Sequence, residues 1–297
     1  MITVVGSVNL DLIATVARMP MPGETVTDGT FAMAPGGKGA NQALAAARAG
    51  ANVRMVAAVG KDGFAREALS LLKDAGVDLS AIVTADAPTG TAVIVVGHDG
   101  ENVIAVAPGA NRRLDPSAVT GLTFGKDDII LLQQEVPPET IRTVIEHARA
   151  GGARTVLNTA PWRAETAALA GSADIMVAND GEFERAADTL RIAPGEREQR
   201  MREWATRTGR PVIVTLGADG VLVADGDGVT AVPALPVEPV DTVGAGDTFC
   251  GYLAASLQRG DTLTAAVRRA AVAASLACLG HGAQPAIPAA AEVDKYL

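Results

Sequence analysis

The chain has 297 residues, enough for one large α/β domain or two small ones. Hydrophobic residues make up 48% and aromatics only 3%, so the core must rest on Ala, Val and Leu, which suits helices lying closely on a parallel sheet. With 25 basic and 34 acidic residues the formal net charge is −9, without any basic block, which argues against nucleic acid and anionic membranes as partners.

The first strand starts at residue 2, without a charged leader or a long apolar core, and no run of about 18 apolar residues follows. The expectation is a soluble, cytoplasmic protein without a signal peptide. Short apolar runs bounded by turn signals recur at 2–5, 53–59, 129–132, 155–157, 174–177, 212–215 and 221–224. Between most of them lie segments of helical period, such as 64–75, 138–150 and 196–207. This alternation predicts an α/β fold: a mainly parallel sheet covered on both faces, with ligands at the carboxyl ends of its strands. The charged run 182–210 reads as a solvated helix face. Cys250 and Cys278 fall in apolar helical stretches and read as buried free thiols.

Two regions break the alternation. Residues 12–34 read as extended segments around Pro20, Pro22 and Gly23, and 89–106 as a hairpin turning at Asp99-Gly100. They lack partner helices, so they are expected to pair into a small separate sheet. Such a sheet is a lid candidate beside the ligand edge, and an apolar face on it would suit a homodimer.

Polar groups stand where strands end. Asn9 and Asp11 follow the first strand, two apart on one side of an extended chain; they suit either a grip on vicinal hydroxyls or an ordinary Asx turn. Pro35-Gly36-Gly37-Lys38-Gly39-Ala40-Asn41-Gln42 opens a helix running to Ala49. It is no Walker A loop, because Gly is missing at 32 and neither Ser nor Thr follows the Lys. Its glycines would let backbone approach a ligand, with Lys38 as a point charge and Asn41 one turn in. Gln133-Gln134-Glu135 ends the strand at 129–132, as a ligand contact or a loop acid. Asn179 and Glu182, three apart, suit either a helix N-terminus or a water-mediated hold on Mg²⁺.

The stretch Asp241-Thr242-Val243-Gly244-Ala245-Gly246-Asp247-Thr248-Phe249 opens a buried helix. A Gly-Ala-Gly turn at a helix start leaves backbone N–H groups pointing outward at the positive end of the dipole, an anion hole. Asp247 beside it suits either a cap or a base that takes a proton from a nucleophile attacking the anion. The three histidines lie apart, no Gly-x-Ser-x-Gly elbow exists, and Phe249 breaks a dinucleotide fingerprint, so neither a hydrolase triad nor NAD is supported.

These words in this order resemble the ribokinase-like sugar kinases from Val4 to Pro288. They are Gly6-Ser7-Val8-Asn9-Leu10-Asp11, Pro22-Gly23-Glu24-Thr25-Val26, Gly36 to Gln42, Gly100-Glu101-Asn102-Val103-Ile104, Asn179-x-x-Glu182, Thr215-Leu216-Gly217, the Asp247 stretch and Gly282-Ala283-Gln284-Pro285. The resemblance implies a single three-layer α/β/α kinase domain over 1–297, with lid segments inserted at about 12–34 and 89–106. It implies transfer of phosphate from ATP to the 5-hydroxyl of D-ribose, with Asp247 as base and Gly244, Ala245 and Gly246 as anion hole. Asn9, Leu10, Asp11, Gly37, Lys38, Gly39, Ala40, Asn41 and Glu135, with Asp247, match its sugar-binding positions. Asn179, Thr215, Leu216, Gly217, Ala218, Asp219 and Gly220 match its nucleotide contacts, with Gly246 and Asp247, and Glu182 its magnesium-linked acid. A K⁺ site would fall at Asp241, Val243, Ala277, Gly280, Gly282 and Ala286, mostly through backbone carbonyls.

The chain departs from the family's pattern at four places. Ala286 stands where Ser is frequent, Ala178 where Pro precedes the Asn-x-x-Glu word, and Cys250 where Asn is common. Around Ala270 no polar residue offers itself to adenine. Kinases of deoxyribose, fructose or a nucleoside, and a non-catalytic sugar binder on the same fold, are the competing readings.

Overall fold

The structure, a computed structural model, describes residues 1–163 and 167–297. Among the described residues the strands are, in chain order, β1 (Ile2–Val5), β2 (Asn9–Val16), β3 (Thr30–Gly36), β4 (Val53–Val59), β5 (Asp78–Thr84), β6 (Gly90–Gly97), β7 (Asn102–Ala107), β8 (Ile129–Leu132), β9 (Arg154–Asn158), β10 (Ile175–Asn179), β11 (Val212–Thr215), β12 (Val221–Asp225) and β13 (Gly228–Val232). Nine of them form the central sheet, in the order β13-β12-β11-β10-β9-β8-β1-β4-β5. Its strands pair in parallel except at one edge, where β12 and β13 are antiparallel.

The apolar runs explain why both faces are covered. Alternate residues point to opposite sides, and here both sets are hydrophobic. Ile2, Val4, Met55, Ala57, Leu131 and Val177 pack on one face against the helices Lys38–Arg48, Ala245–Gln258 and Leu263–Ala277. Val5, Val56, Ile130, Leu132 and Leu157 pack on the other against Pro138–Gly151. Farther along that face, Met176, Val212 and Val214 meet Phe183, Met201 and Trp204 of the helices Asp180–Thr189 and Arg197–Thr208. No helix among the described residues is long and apolar enough to cross a membrane.

The remaining strands form the expected separate sheet, in the order β3-β2-β6-β7, with β2 and β6 parallel and both outer pairs antiparallel. Its first strand begins at Asn9 rather than near residue 12, so Asn9 and Asp11 lie inside a strand paired on both sides. Gly100, at φ 84°, supplies the left-handed turn residue between β6 and β7.

Other boundaries moved for identifiable reasons. β5 and β13 are edge strands with partly exposed residues, so they carry no continuous apolar run. The helix expected at 64–75 breaks at Leu69 into Gly63–Ala68 and Ser70–Asp74. The charged run 182–210 is not wholly solvated: Arg200 is buried between the two helices, paired with Glu184 and with Asp188 at 2.5 Å. Both cysteines are free thiols, but Cys278 is only partly buried.

The crossing of the Lys38–Arg48 and Ala245–Gln258 helices is close because Gly251 sits at the contact. A Cβ there would lie 2.5 Å from the Ala45 Cβ and 2.6 Å from the Gln42 carbonyl oxygen. Gly251→Ala should therefore cost roughly 1–3 kcal/mol by overpacking, lowering Tm by about 2–4 °C for each kcal/mol. An unchanged melting curve would mean that the two helices are free to separate.

Candidate active site

In a parallel sheet the chain leaves each strand at the same edge, and ligands collect where connections diverge. Here β4 and β5 continue to one side of β1, whereas β8 returns to the other. Ser7 to Asn9 follow β1, Gln133 to Glu135 follow β8, and Asn158 and Asn179 close β9 and β10. The polar residues singled out in the sequence thus share one edge.

Asp247 lies in the first turn of the Ala245–Gln258 helix, whose cap is Gly244 at φ 78° with no side-chain cap bond. The capping alternative for Asp247 therefore fails. Its buried carboxylate instead accepts from the Asn41 amide at 2.9 Å on Oδ2 and from the Gln42 amide at 2.9 Å on Oδ1. Gly244 is required twice, by its positive φ and because a Cβ would meet Ala283 at 2.7 Å. Of the expected anion-hole amides, Ala245 N–H turns back to the Thr242 carbonyl at 3.3 Å. Those of Gly246 and Asp247 fall in the first turn, whose N–H groups have no acceptor within the helix. A Cβ on Gly246 would meet nothing within 4 Å, so this turn faces open space.

On the other side of Asp247 lies the face of β2 that carries Asn9 and Asp11, whose carboxyl feels the Asp247 charge. Opposite residues in paired strands share a face, and Asn9 and Asp11 stand opposite Gly36 and Ala34 on β3 and Gly90 and Ala92 on β6. Small neighbours keep this face clear. A Cβ on Gly36 would lie 2.4 Å from an Asp11 carboxylate oxygen, and one on Gly90 2.3 Å from Asn9 Oδ1. Asn9 Oδ1 accepts from the buried Asn111 amide at 2.7 Å, which leaves the Asn9 NH₂ as its free group. Asn111 also brackets Val8, accepting from its N–H at 2.9 Å and donating to its carbonyl at 3.2 Å. Nothing local in the sequence marks Asn111; it acts 102 residues from its partner.

Glu135 takes the Ser7 hydroxyl at 2.5 Å and the Lys38 N–H at 3.2 Å, so it joins β8 to the start of the glycine-rich helix. The glycines also meet a packing demand within the chain. Gly37 and Gly39 press on the chain's own backbone, where Cβ atoms would lie 2.7 Å from Asn9 N and 2.5 Å from Ser7 N. Leu10 and Ala40 are fully buried core residues. Lys38 is held protonated above its ordinary range, chiefly by Asp247 and then by Glu135 and Glu182. Burial, then the charges of Glu135 and Asp247, push Asp11 up to about 6.

Asn179 and Glu182 form a reciprocal capping box on the Asp180–Thr189 helix, with the Asn179 side chain accepting from Glu182 N–H at 2.8 Å and Glu182 Oε2 from Asn179 N–H at 3.1 Å. Glu182 Oε2 also takes the Thr159 hydroxyl at 3.3 Å. Beyond Gly246 opens a cavity of about 570 Å³, lined by Thr215, Gly217, Ala218 and Gly220 among the expected nucleotide contacts. Leu216 and Asp219 are not on its wall. The helix Leu263–Ala277 contributes Ala271, Ala274 and Ser275, while Ala270 faces the core. The wall that these neighbours of Ala270 form is mostly apolar.

Asp241 ties two loops together: one oxygen accepts from Val243 N–H at 2.9 Å, the other from Gly282 N–H at 2.8 Å. Ala277 accepts from Gly280 N–H at 3.4 Å, and a Cβ on Gly280 would lie 3.0 Å from the Ala286 Cβ. The positions expected around a monovalent cation are thus brought together beside the Gly244 turn. Among the described residues no group of three or more His, Cys, Asp or Glu side chains could hold a metal by themselves.

This fold and site define a small-molecule kinase, and comparison with known proteins agrees. Residues 1–290 match the pfkB family of carbohydrate kinases. The Bacillus subtilis ribokinase is 38% identical over 300 residues, spanning 100% of this chain and 99% of that protein. The structure is similar to ribokinase from Thermotoga maritima, with a TM-score of 0.90 at 31% identity over 99% of this chain and 98% of that one. It is also similar to Arabidopsis thaliana ribokinase complexed with ribose and ATP, with a TM-score of 0.84 at 29% identity over 99% and 97% of the two chains. The chain belongs to the pfkB family of carbohydrate kinases.

Asp11 carries a stability cost with a defined sign. Its pKa rises on folding from 3.8 to about 6, so in that window the folded chain holds a proton that the unfolded chain has lost. Folding stability from this group falls as pH rises through the window and stays low above it. Asp11→Asn should raise Tm of the ligand-free protein at pH 8, with the gain shrinking as pH falls from 6 towards 4. A gain independent of pH would remove the carboxylate as its cause.

Proposed function

We propose that this protein transfers the γ-phosphoryl group of ATP to the 5-hydroxyl of D-ribose, giving D-ribose 5-phosphate. The observation that carries this reading is the position of Asp247. Its helix turn lines the nucleotide-sized cavity through Ala245 and Gly246, while its carboxylate meets Asn41 and Gln42 and acts by charge on Asp11. Ribose and ATP together occupy the similar Arabidopsis enzyme.

Asn9 donates from its free NH₂, and Asp11 accepts from ring hydroxyls when ionised, which turns the primary alcohol towards Asp247. Asp247 takes the hydroxyl proton as the O5–phosphorus bond forms and the bond from phosphorus to the bridging oxygen of ADP breaks. The first-turn N–H groups of Gly246 and Asp247 and the Lys38 ammonium hold negative charge on the transferring group. Positioning and charge neutralisation are the main demands of such transfers. Thr215, Gly217, Ala218 and Gly220 line the nucleotide's cavity, with Asn179 and Glu182 nearer its phosphates.

Residues present fit both cations. Asp241 supplies charge and orders the carbonyl-bearing loops at Val243, Ala277, Gly280, Gly282 and Ala286, which suits K⁺. Without a cluster of acids among the described residues, Mg²⁺ would be held mainly by the phosphates and water, and Glu182 is the acid that would reach it through water. Mg²⁺ would neutralise phosphate charge, and K⁺ would add positive potential beside the anion hole. The four-stranded sheet serves as a lid within a single kinase domain. Its apolar residues Phe31, Met33, Val93, Val103, Ile104 and Val106 are exposed, which supports a homodimer through this sheet. The protein acts in the cytoplasm.

The test is ADP release from ATP against ribose, deoxyribose, fructose and adenosine in Mg²⁺, with and without K⁺. Ribose should have the highest kcat/KM, and K⁺ should raise it. Preference for another acceptor would overturn the pentose assignment while keeping the kinase, and no turnover with any acceptor would favour a non-catalytic sugar binder.

A further inference from the structure

The catalytic carboxylate does not stand alone; it is the meeting point of two amide relays. Gln133 Nε2 donates to Gln42 Oε1 at 2.7 Å, and Gln42 Nε2 donates to Asp247 Oδ1 at 2.9 Å. From the opposite side Gln284 Nε2 donates to Asn41 Oδ1 at 3.1 Å, and Asn41 Nδ2 donates to Asp247 Oδ2 at 2.9 Å. A carboxylate can only accept, so each inner amide must turn its NH₂ towards Asp247 and its carbonyl away. The outer amides then fix that orientation by donating to the inner carbonyls. The direction of both relays is set by the charge at their junction.

Gln42 is the more constrained of the two inner amides. It is fully buried, and its NH₂ also donates to Asn158 Oδ1 at 3.2 Å. With both N–H bonds and its carbonyl engaged, it has no group left to offer a substrate. Asn158 is itself anchored, donating to the Val177 carbonyl at 3.3 Å. Gln42 therefore connects the base to the ends of β8 and β9. Gln133 and Gln284 each keep a buried Oε1 without a partner. Unpaired buried oxygens cost stability, and both relays carry this cost at the same place, the end remote from Asp247.

We infer that Gln42, oriented by Gln133, is a positioning residue that fixes the plane of the Asp247 carboxylate for proton transfer. It touches the base rather than the sugar, so it acts on the chemical step and leaves sugar binding to Asn9 and Asp11. A misplacement of about 1 Å at a reacting group can cost on the order of 10²-fold in rate. The inference rests on the reading of Asp247 as the base, and the experiment separates the two.

Gln42→Met keeps length and removes the polar relay; Gln133→Met leaves Gln42 in place but releases its carbonyl. Steady-state and single-turnover rates with ribose are measured for both, alone and in the Asp247→Asn background, with thermal melts as a folding check. Gln42→Met should lower kcat by about 10- to 100-fold with ribose KM changed less than about twofold, and Gln133→Met should show a smaller loss of the same kind. In the Asp247→Asn background either change should alter the residual rate by less than about twofold, because no base remains to be positioned. An unchanged kcat in both variants, or an equal loss in both backgrounds, would overturn the inference. If Asp247→Asn alone retains near-normal turnover, the base reading itself fails. If Gln42→Met does not fold, the Gln133→Met cycle decides by the same criterion.

Discussion

A buried carboxylate that must remain an acceptor is the constraint on which this site depends. Asp247 is satisfied only if two amides from the Lys38–Arg48 helix reach it, one on each oxygen. That requires the helix to cross the Ala245–Gln258 helix closely, which the missing side chain at Gly251 permits. The same helix is pressed onto Ser7 to Asn9 by Gly37 and Gly39, so the position of Asp247, the proposed base, and that of Asn9 are set by one rigid element. Close packing thus serves the geometry of the reaction as much as it serves stability.

Charge is distributed with a similar economy. Glu135 and Asp247 act on both the Lys38 ammonium and the Asp11 carboxyl in a partly buried space. Burial, then repulsion by Glu135 and Asp247, raises the Asp11 pKa, a cost the free protein bears and one that suits the proposed role of Asp11 as an acceptor for sugar hydroxyls. Glu135 is engaged through one oxygen, Oε2, by Ser7 and by the Lys38 N–H, which ties the end of β8 to the start of the glycine-rich helix. On the nucleotide side, charge is provided by helix ends and backbone N–H groups, and the cavity beyond is mostly apolar, as a stacked aromatic base requires.

Much of this was legible because it is local. Continuous apolar runs identified the central strands, and Gly-Ala-Gly before Asp247 identified a helix start with an acid beside it. What escaped depends on contacts far apart in the chain. Asn111 supports Asn9 from 102 residues away, and Gln284 reaches Asn41 from 243 residues away, so no spacing pattern could announce either. That the glycines at 37 and 39 also press on Ser7 to Asn9 was not legible, because a sequence does not say which backbone approaches. Asn179 and Glu182 turned out to use the bonds of a capping box, the local alternative that their spacing had left open.

The central claim is geometric: the ring hydroxyls of the sugar lie at Asn9 and Asp11, and its primary alcohol lies at Asp247 with the anion hole behind. The regiochemistry of the product tests this most directly, by ¹H–³¹P correlation NMR of the material formed from ATP and ribose with Mg²⁺ and K⁺. The phosphorus should couple to the two protons on carbon 5. Coupling to the anomeric proton would mean that the sugar binds reversed, and would contradict the assignment of Asn9 and Asp11 to the ring hydroxyls.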